Sequence, residues 1–328
     1  MIAGPWRITL DTNPGLCNFN CMMCEEHSNH SEIRPDRKRI MSIDTVRKAV
    51  DMFHGKGLRE VIPSTMGEPL LYPYFDELLD IIHRKDIGLN LTTNGSFPGR
   101  STSDWAEAIM PLATDVKVSL NGSNKGISER IMVGSDFQRQ IDGIQNLVKV
   151  RDALETKGKN TTVTIQVTFM EENLEDLPDL IELAKELGVD RVKGHHLWVT
   201  HPSLREQDLK RNEDSISRWN RSIKDLMAQK EHLLYSGHPL NLQNFDPISE
   251  DCGTRRTVCP FLGRELWVAW DGRVNICCAP DHQRAKFGDF GYIQDAWEMW
   301  NSHTYRKFVD SSGEPSVCGR CNMRTKEV

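Results

Sequence analysis

Over its first 200 residues the chain alternates short apolar runs with amphipathic stretches, and this alternation limits the possible folds more than any other feature. Six runs read as strands: WRITLDT (6–12), REVIPST (59–65), LNLTTN (89–94), DVKVSLN (115–121), TVTIQVTFM (162–170) and DRVKGHHLWV (190–199). The stretches between them repeat apolar residues at helical spacing. SIDTVRKAVDMFHGKG opens on Ser42, a suitable N-cap, and stops at Gly55 or Gly57. YFDELLDIIHRKDIG sets Phe75, Leu78, Leu79 and Ile82 on one face and stops near Gly88. DWAEAIMPLA, FQRQIDGIQNLVKVRDALETKG and LEDLPDLIELAKELG supply three more helices. Strands alternating with helices form a parallel sheet, because parallel strands need crossover connections. Six units fall short of the eight of a closed barrel. The expected class is therefore α/β, a partial barrel or open sheet that takes ligands at the carboxyl ends of its strands.

The 328 residues suffice for one large α/β domain and a small one. With 38% hydrophobic and 27% charged residues, the composition is that of a globular protein. No apolar run approaches the ~18–20 residues of a membrane span. The start, MIAGPWRITLDTNPG, lacks the basic and apolar regions of a signal peptide. A cytoplasmic protein with no membrane partner is expected. The net charge of −6, without a basic stripe, points away from nucleic acid as a partner. Residues 1–202 carry the strand–helix alternation. Residues 203–250 are more polar, with a helix near 214–234 and then the loop-like YSGHPLNLQNFDPISED, and read as a connector that crosses the barrel mouth. Residues 251–328 form a cysteine-rich tail.

The nine cysteines fall into two groups, Cys17, Cys21 and Cys24 near the start and Cys252, Cys259, Cys277, Cys278, Cys318 and Cys321 in the tail. Clustered cysteines in a reducing compartment read as metal ligands or catalytic thiols, and inert buried thiols are the alternative. The first group, CNFNCMMC, lies just after the first strand. Zinc rarely uses C-x3-C-x2-C alone. Closely spaced thiolates suit a [4Fe–4S] cube, each on its own iron, and three of them leave one iron open, as catalytic metal sites do.

CNFNCMMC resembles the CxxxCxxC loop of the radical S-adenosylmethionine (radical SAM) superfamily in both pattern and place. The resemblance implies a (β/α)6 partial TIM barrel whose open iron chelates SAM. It further implies reductive cleavage of SAM to methionine and a 5′-deoxyadenosyl radical that takes hydrogen from the substrate. It makes Cys17, Cys21 and Cys24 cluster ligands and SAM a cofactor. Other positions align with it. STMGEP (64–69) stands where the family has a glycine-rich segment meeting the SAM amino group, with Met66 in place of the first glycine and Gly67 and Glu68 retained. A glycine allows close backbone approach, and a carboxylate can accept from the ammonium. Glu68 also fits an ordinary turn carboxylate. TTNG (92–95) and VSLNG (118–122) end the third and fourth strands, which makes Asn94, Ser119 and Asn121 candidates for SAM contacts, with Asn94 equally a turn residue. Met23 stands where the family has an aromatic residue near the adenine, and a thioether packs on such a ring.

In the tail, Cys259, twelve residues, Gly272, four residues and Cys277 precede a late C-x2-C at Cys318 and Cys321. ELWVAWDGRVNICC reads as a β-hairpin turning at Asp271–Gly272, which brings thiols near its ends together. By spacing alone, zinc and a second [4Fe–4S] cluster both remain open. The pattern resembles the auxiliary-cluster region of SPASM and twitch radical SAM enzymes. It implies a small C-terminal twitch-type (SPASM-like) domain with a second [4Fe–4S] cluster on Cys259, Cys277, Cys318 and Cys321. Cys252 and Cys278 are then spare. Each is a candidate hydrogen donor to a carbon radical, a replacement ligand, or an inert thiol.

Weaker candidates lie near the expected mouth: His195, His196 and His201, Gln166 and Glu171, and Glu26, His27 and His30 after the first cysteines. Adjacent histidines on a strand face opposite ways, so only one of His195 and His196 can point inward. The tail tryptophans Trp267, Trp270, Trp297 and Trp300 read as packing for a small domain. The resemblance implies an enzyme that abstracts hydrogen from a small polar metabolite, a sugar or aminocyclitol, giving dehydrogenation or epimerisation. It also implies an electron donor such as flavodoxin or ferredoxin. A peptide-modifying maturase is the alternative. With its first strand at residue 6, the chain is expected to lack the N-terminal peptide-binding module many maturases carry, as some peptide epimerases do. An iron–sulfur or zinc-binding scaffold or sensor is the non-enzyme alternative.

Overall fold

The computed structural model describes residues 3–32, 34–63, 66–228, 240–248, 257–279, 281–311, 318, 321 and 325–326. Cys252, Ser64 and Thr65 lie outside the described residues. The chain forms two compact units, Met1–Leu16, Pro35–Asn90 and Asp251–Val328 in the first and Cys17–Arg34 and Leu91–Glu250 in the second.

The first unit begins with β1 (Arg7–Leu10), α1 (Ile43–Phe53), β2 (Glu60–Ile62), α2 (Phe75–Lys85) and the start of β3 (Gly88–Thr93). β1 pairs in parallel with β2, and β2 with β3. Ser42 caps α1, its hydroxyl accepting from the Thr45 N–H at 3.1 Å. Such a cap contributes about 1 kcal/mol. α1 ends at Phe53, ahead of Gly55. α2 ends on Asp86 in the left-handed conformation, φ 50°. Val46, Val50 and Phe53 of α1 are buried, and so are Phe75, Leu78, Leu79 and Ile82 of α2, the face read from its spacing.

The second unit continues with α3 (Thr102–Ile109), β4 (Ala113–Ser119), α4 (Lys125–Ile131), α5 (Phe137–Glu155), β5 (Thr162–Phe169), α6 (Leu177–Glu186), β6 (Arg191–His196), α7 (Glu213–Ala228) and β7 (Asn241–Gln243). Parallel pairing runs from Asp115↔Thr162 to Ser119↔Gln166, and from Thr164↔Arg191 to Phe169↔His196. Val116, Val118, Val163, Ile165, Val167 and Val192 are buried, as strands covered on both faces require. Two elements were not read from the sequence. α4 is a short helix after β4, capped by Asn124. β7 is a parallel partner of β6 inside the stretch taken for a loop. It has only three residues, a single leucine between two polar amides, none of them buried, so no apolar alternation marks it.

The C-terminal segment belongs to the first unit. β8 (Thr257–Val258) pairs antiparallel with β11 (Thr325–Lys326). The expected hairpin forms between β9 (Glu265–Val268) and β10 (Val274–Asn275), and Gly272 takes φ 86° in its turn. β9 also lies parallel beside β1, from Arg7↔Glu265 to Leu10↔Val268. Arg7 pairs with Glu60 of β2 at 3.3 Å and with Glu265 of β9, so one guanidinium joins three adjacent strands. The fold class is α/β with a parallel sheet, as expected, and a (β/α)6 partial TIM barrel fits it. No helix among the described residues is long and apolar enough to cross a membrane.

Candidate active site

Cys17, Cys21 and Cys24 sit in the loop after β1, each partly exposed and none in a disulfide. The loop packs on a core patch of the second unit made by Phe19, Ile131, Met132, Met170, Leu197 and Leu204. Cys17, Cys21, Met22 and Met23 rest against that patch. Two backbone bonds tie the loop to the end of α4, Met22 N–H to Ile131 O at 2.9 Å and Asn20 N–H to Val133 O at 2.8 Å. His201, just past β6, donates from Nε2 to the Cys24 carbonyl at 3.0 Å. A carbonyl only accepts, so this bond fixes the tautomer of His201.

The thiols fit a cluster that binds thiolates. Cys17 Sγ accepts from the Phe19 N–H at 3.5 Å and from Asn94 Nδ2 at 3.7 Å, and Cys24 Sγ accepts from the His27 N–H at 3.3 Å. Donors aimed at sulfur favour its anionic form. At Cys24, burial pushes the thiol pKa up, and the His27 and Glu26 amides oppose it. Among the described residues, no three His, Cys, Asp or Glu side chains are grouped to hold a single metal ion. Thiolates bound to separate irons of a cube need not meet at one point.

In the segment after β2, Met66 and Gly67 are partly exposed and Glu68 is buried. A Cβ on Gly67 would lie 2.0 Å from the Asn13 carbonyl oxygen and 2.7 Å from that of Leu16. Close packing against the β1 loop therefore requires this glycine. Glu68 caps the short 3-10 helix Pro69–Leu71, its Oε1 accepting from the Leu70 N–H at 3.1 Å. Its amide donates to Leu16 O at 2.8 Å, and its carbonyl accepts from Asn13 Nδ2 at 2.7 Å. Asn13, which the sequence did not single out, thus joins the first two strand-end loops.

At the ends of β3 and β4, Asn94 and Ser119 are half-buried and Asn121 is buried. Asn121 Oδ1 accepts from the Thr168 N–H at 2.8 Å, which ties the end of β4 to β5. Gln140, fully buried in the first turn of α5, donates from Nε2 to Asn94 O at 2.7 Å and Ser119 O at 3.1 Å. It too was missed. Its signal was a polar residue in register with the buried Gly143, Ile144 and Leu147.

The weaker candidates resolve unevenly. His195 bonds Thr168 Oγ1 at 3.2 Å, and His196 packs edge-on against Phe169 and Trp219. Burial, then Lys193, pushes His195 down to about 4. Burial, then Lys210 and His195, pushes His196 down to about 3. Both are neutral at pH 7. Glu171 pairs with Arg211 at 2.6 Å and Arg218 at 3.0 Å, which fastens α7 to the end of β5. His30 Nδ1 bonds the Ser203 hydroxyl at 3.0 Å, and His27 is buried.

In the tail, Cys259, Cys277, Cys278, Cys318 and Cys321 are partly exposed, and none is in a disulfide. Amides again point at sulfur, Leu262 N–H to Cys259 at 3.4 Å and Ala279 N–H to Cys277 at 3.3 Å. The Cys278 thiol donates to Cys277, lowering Cys277 to about 7 and raising Cys278. Cys278 also feels Cys321 and Cys259, so it stands among the expected ligands rather than apart from them. The β8–β11 pairing sets Val258, beside Cys259, opposite Thr325, four residues past Cys321.

The radical SAM superfamily profile matches residues 14–184, and the SPASM iron–sulfur cluster-binding domain profile matches residues 259–322. The chain belongs to the radical SAM superfamily and carries a C-terminal SPASM domain. It is a radical SAM enzyme whose cofactors are SAM, a SAM-binding [4Fe–4S] cluster and auxiliary iron–sulfur chemistry in the tail. The chain is similar to the tungsten-containing aldehyde ferredoxin oxidoreductase cofactor-modifying protein of Pyrococcus furiosus, 23% identical over 94% of this chain and 85% of that protein. It is likewise similar to the mycofactocin maturase MftC of Mycobacterium tuberculosis, 24% identical over 96% of this chain and 74% of that one. Among solved structures, native anSMEcpe with bound AdoMet superposes with a TM-score of 0.70 at 18% identity, covering 97% of this chain and 86% of that one. Its complex with AdoMet and the Cp18Cys peptide gives 0.64.

Proposed function

We propose that this enzyme is a peptide-modifying maturase. Bound SAM and the reduced cluster supply a 5′-deoxyadenosyl radical that takes a hydrogen atom from a peptide substrate. Cys17, Cys21 and Cys24 hold the SAM-binding cluster, with Met23, Ser119 and Asn121 of the same unit as the proposed SAM contacts. Cys259, Cys277, Cys318 and Cys321 hold the auxiliary cluster, and Cys278 lies beside it. A flavodoxin or ferredoxin supplies the electron.

The observation that carries this reading is the reach of the likeness to a maturase. MftC aligns with 96% of the chain, barrel and tail together. A neighbour of similar fold, anSMEcpe, is seen with bound AdoMet and the Cp18Cys peptide. This reading displaces the small metabolite expected from the sequence. A second reading, modification of a cofactor, is favoured by the name of the Pyrococcus furiosus relative and by the likeness to an AdoMet-dependent heme synthase of Methanosarcina barkeri.

The test is anaerobic reconstitution with iron and sulfide, reduction by dithionite, and incubation with SAM and short peptides encoded beside the gene. The expected result is 5′-deoxyadenosine formed together with a mass change in one peptide. Turnover of a small polar metabolite, with every peptide unchanged, overturns the reading.

A further inference from the structure

Asn94, a candidate for SAM and equally for a turn, has its side chain toward the cluster loop. Its Oδ1 accepts from the Ser96 N–H at 2.8 Å. A backbone N–H only donates, so this bond fixes which end of the amide is oxygen. The NH2 end then meets two acceptors, Asn18 Oδ1 at 2.9 Å and Cys17 Sγ at 3.7 Å. An amide NH2 has two hydrogens, one for each. The backbone at Asn94 is held in turn, because the buried Gln140 donates to its carbonyl at 2.7 Å. Gly95 follows at φ 78°, where a Cβ would lie 2.9 Å from Val118 Cγ1, so the turn behind the amide is closely packed.

We propose that Asn94 is a positioning residue whose amide hydrogen bond to Cys17 Sγ raises the reduction potential of the SAM-binding cluster. The physical basis is charge. A donor on a ligating sulfur withdraws electron density and stabilises the reduced cluster, and hydrogen bonds to sulfur are among the factors that set these potentials. The Phe19 N–H already donates to the same sulfur, and Asn94 adds a second donor from a residue 77 positions away. Radical SAM chemistry begins with an electron held on this cluster, so this bond acts on how readily that electron is taken up. The proposal rests on family membership, not on the peptide reading, and its test needs no substrate.

The test is a redox titration of the anaerobically reconstituted full chain, followed by electron paramagnetic resonance. The SAM-binding cluster is identified as the signal that changes when SAM is added. In Asn94→Ala the midpoint of that signal is expected to move negative, and further in Asn94→Asp, which puts a carboxylate in place of the donor. The second signal stays in place. Asn18→Ala is the control, because it removes the amide's other partner without touching the sulfur, and its midpoint is expected to match the wild type. An unchanged midpoint in Asn94→Ala at full iron loading overturns the proposal. So does an equal shift in Asn18→Ala, which would trace the effect to loop placement. An Asn94→Ala protein that melts like the wild type but loads only the second cluster also overturns it, since Asn94 would then hold the loop rather than tune the cluster.

Discussion

At the scale of single residues, two positions make opposite demands on space and charge. Gly67 sits where a Cβ would strike the Asn13 and Leu16 carbonyl oxygens. Both are backbone atoms and cannot swing aside. Gly67→Ala is expected to cost roughly 1–3 kcal/mol, the range for overpacking. Chemical denaturation measures this, and an unchanged midpoint would show that the two loops are not packed this closely. His196 carries the charge demand. Its Nδ1 is buried with no hydrogen-bond partner, and its ring lies among Phe169 and Trp219. Its folded pKa of about 3 is far below the 6.5 of a free histidine. The unfolded chain therefore binds the proton first. Stability is full above pH 6.5 and falls as the pH drops toward the folded value. His196→Phe is expected to flatten the fall of Tm between pH 6.5 and 4 while keeping the aromatic packing. A slope equal to the wild type's counts against this account. The sequence marked both residues. Gly67 was read as allowing close backbone approach, and it packs against two carbonyls; of His195 and His196 only one was expected to point inward, and His196 packs with aromatic side chains.

At the scale of elements, the helices and strands with long apolar periods were legible, and short or polar elements were not. α1, α2, α5 and α6 stand where their spacing put them, because a buried face repeats over several turns. β7 has three residues and no such repeat, and it exists because β6 offers it a free edge. The first turn of α5 holds the strand ends above it. Arg139 donates to the carbonyls of Ser96 at 2.6 Å, Phe97 at 2.5 Å and Arg100 at 3.0 Å, and Gln140 to those of Asn94 and Ser119. Gln140→Leu keeps the apolar packing but leaves these two carbonyls without their donor. A loss of about 1–3 kcal/mol is expected. Thermal unfolding reads it, and a loss below a few tenths would mean that water or a neighbour replaces the amide.

At the scale of the whole molecule, two sets of cysteines are expected to load iron independently. Replacing Cys17, Cys21 and Cys24 together with Ala should leave about half the iron of two four-iron clusters and abolish 5′-deoxyadenosine formation. Replacing Cys259 and Cys277 should leave SAM cleavage in place and stop product formation. Iron counting and the nucleoside assay distinguish the two, and loss of SAM cleavage in the second variant would show that the sites are not separable. The sequence by itself determined the α/β class, the places of the first six strands along the chain and the grouping of the cysteines into two sets. These depend on periodicity and on spacing along the chain, which survive without any knowledge of distant contacts. Tertiary structure alone decided that β9 joins β1, that Gln140 braces two strand ends, and that Asn94 meets Cys17. Each of these pairs residues far apart in the chain, and the direction of a side chain toward such a partner follows from the packing of the folded protein, not from the residues beside it.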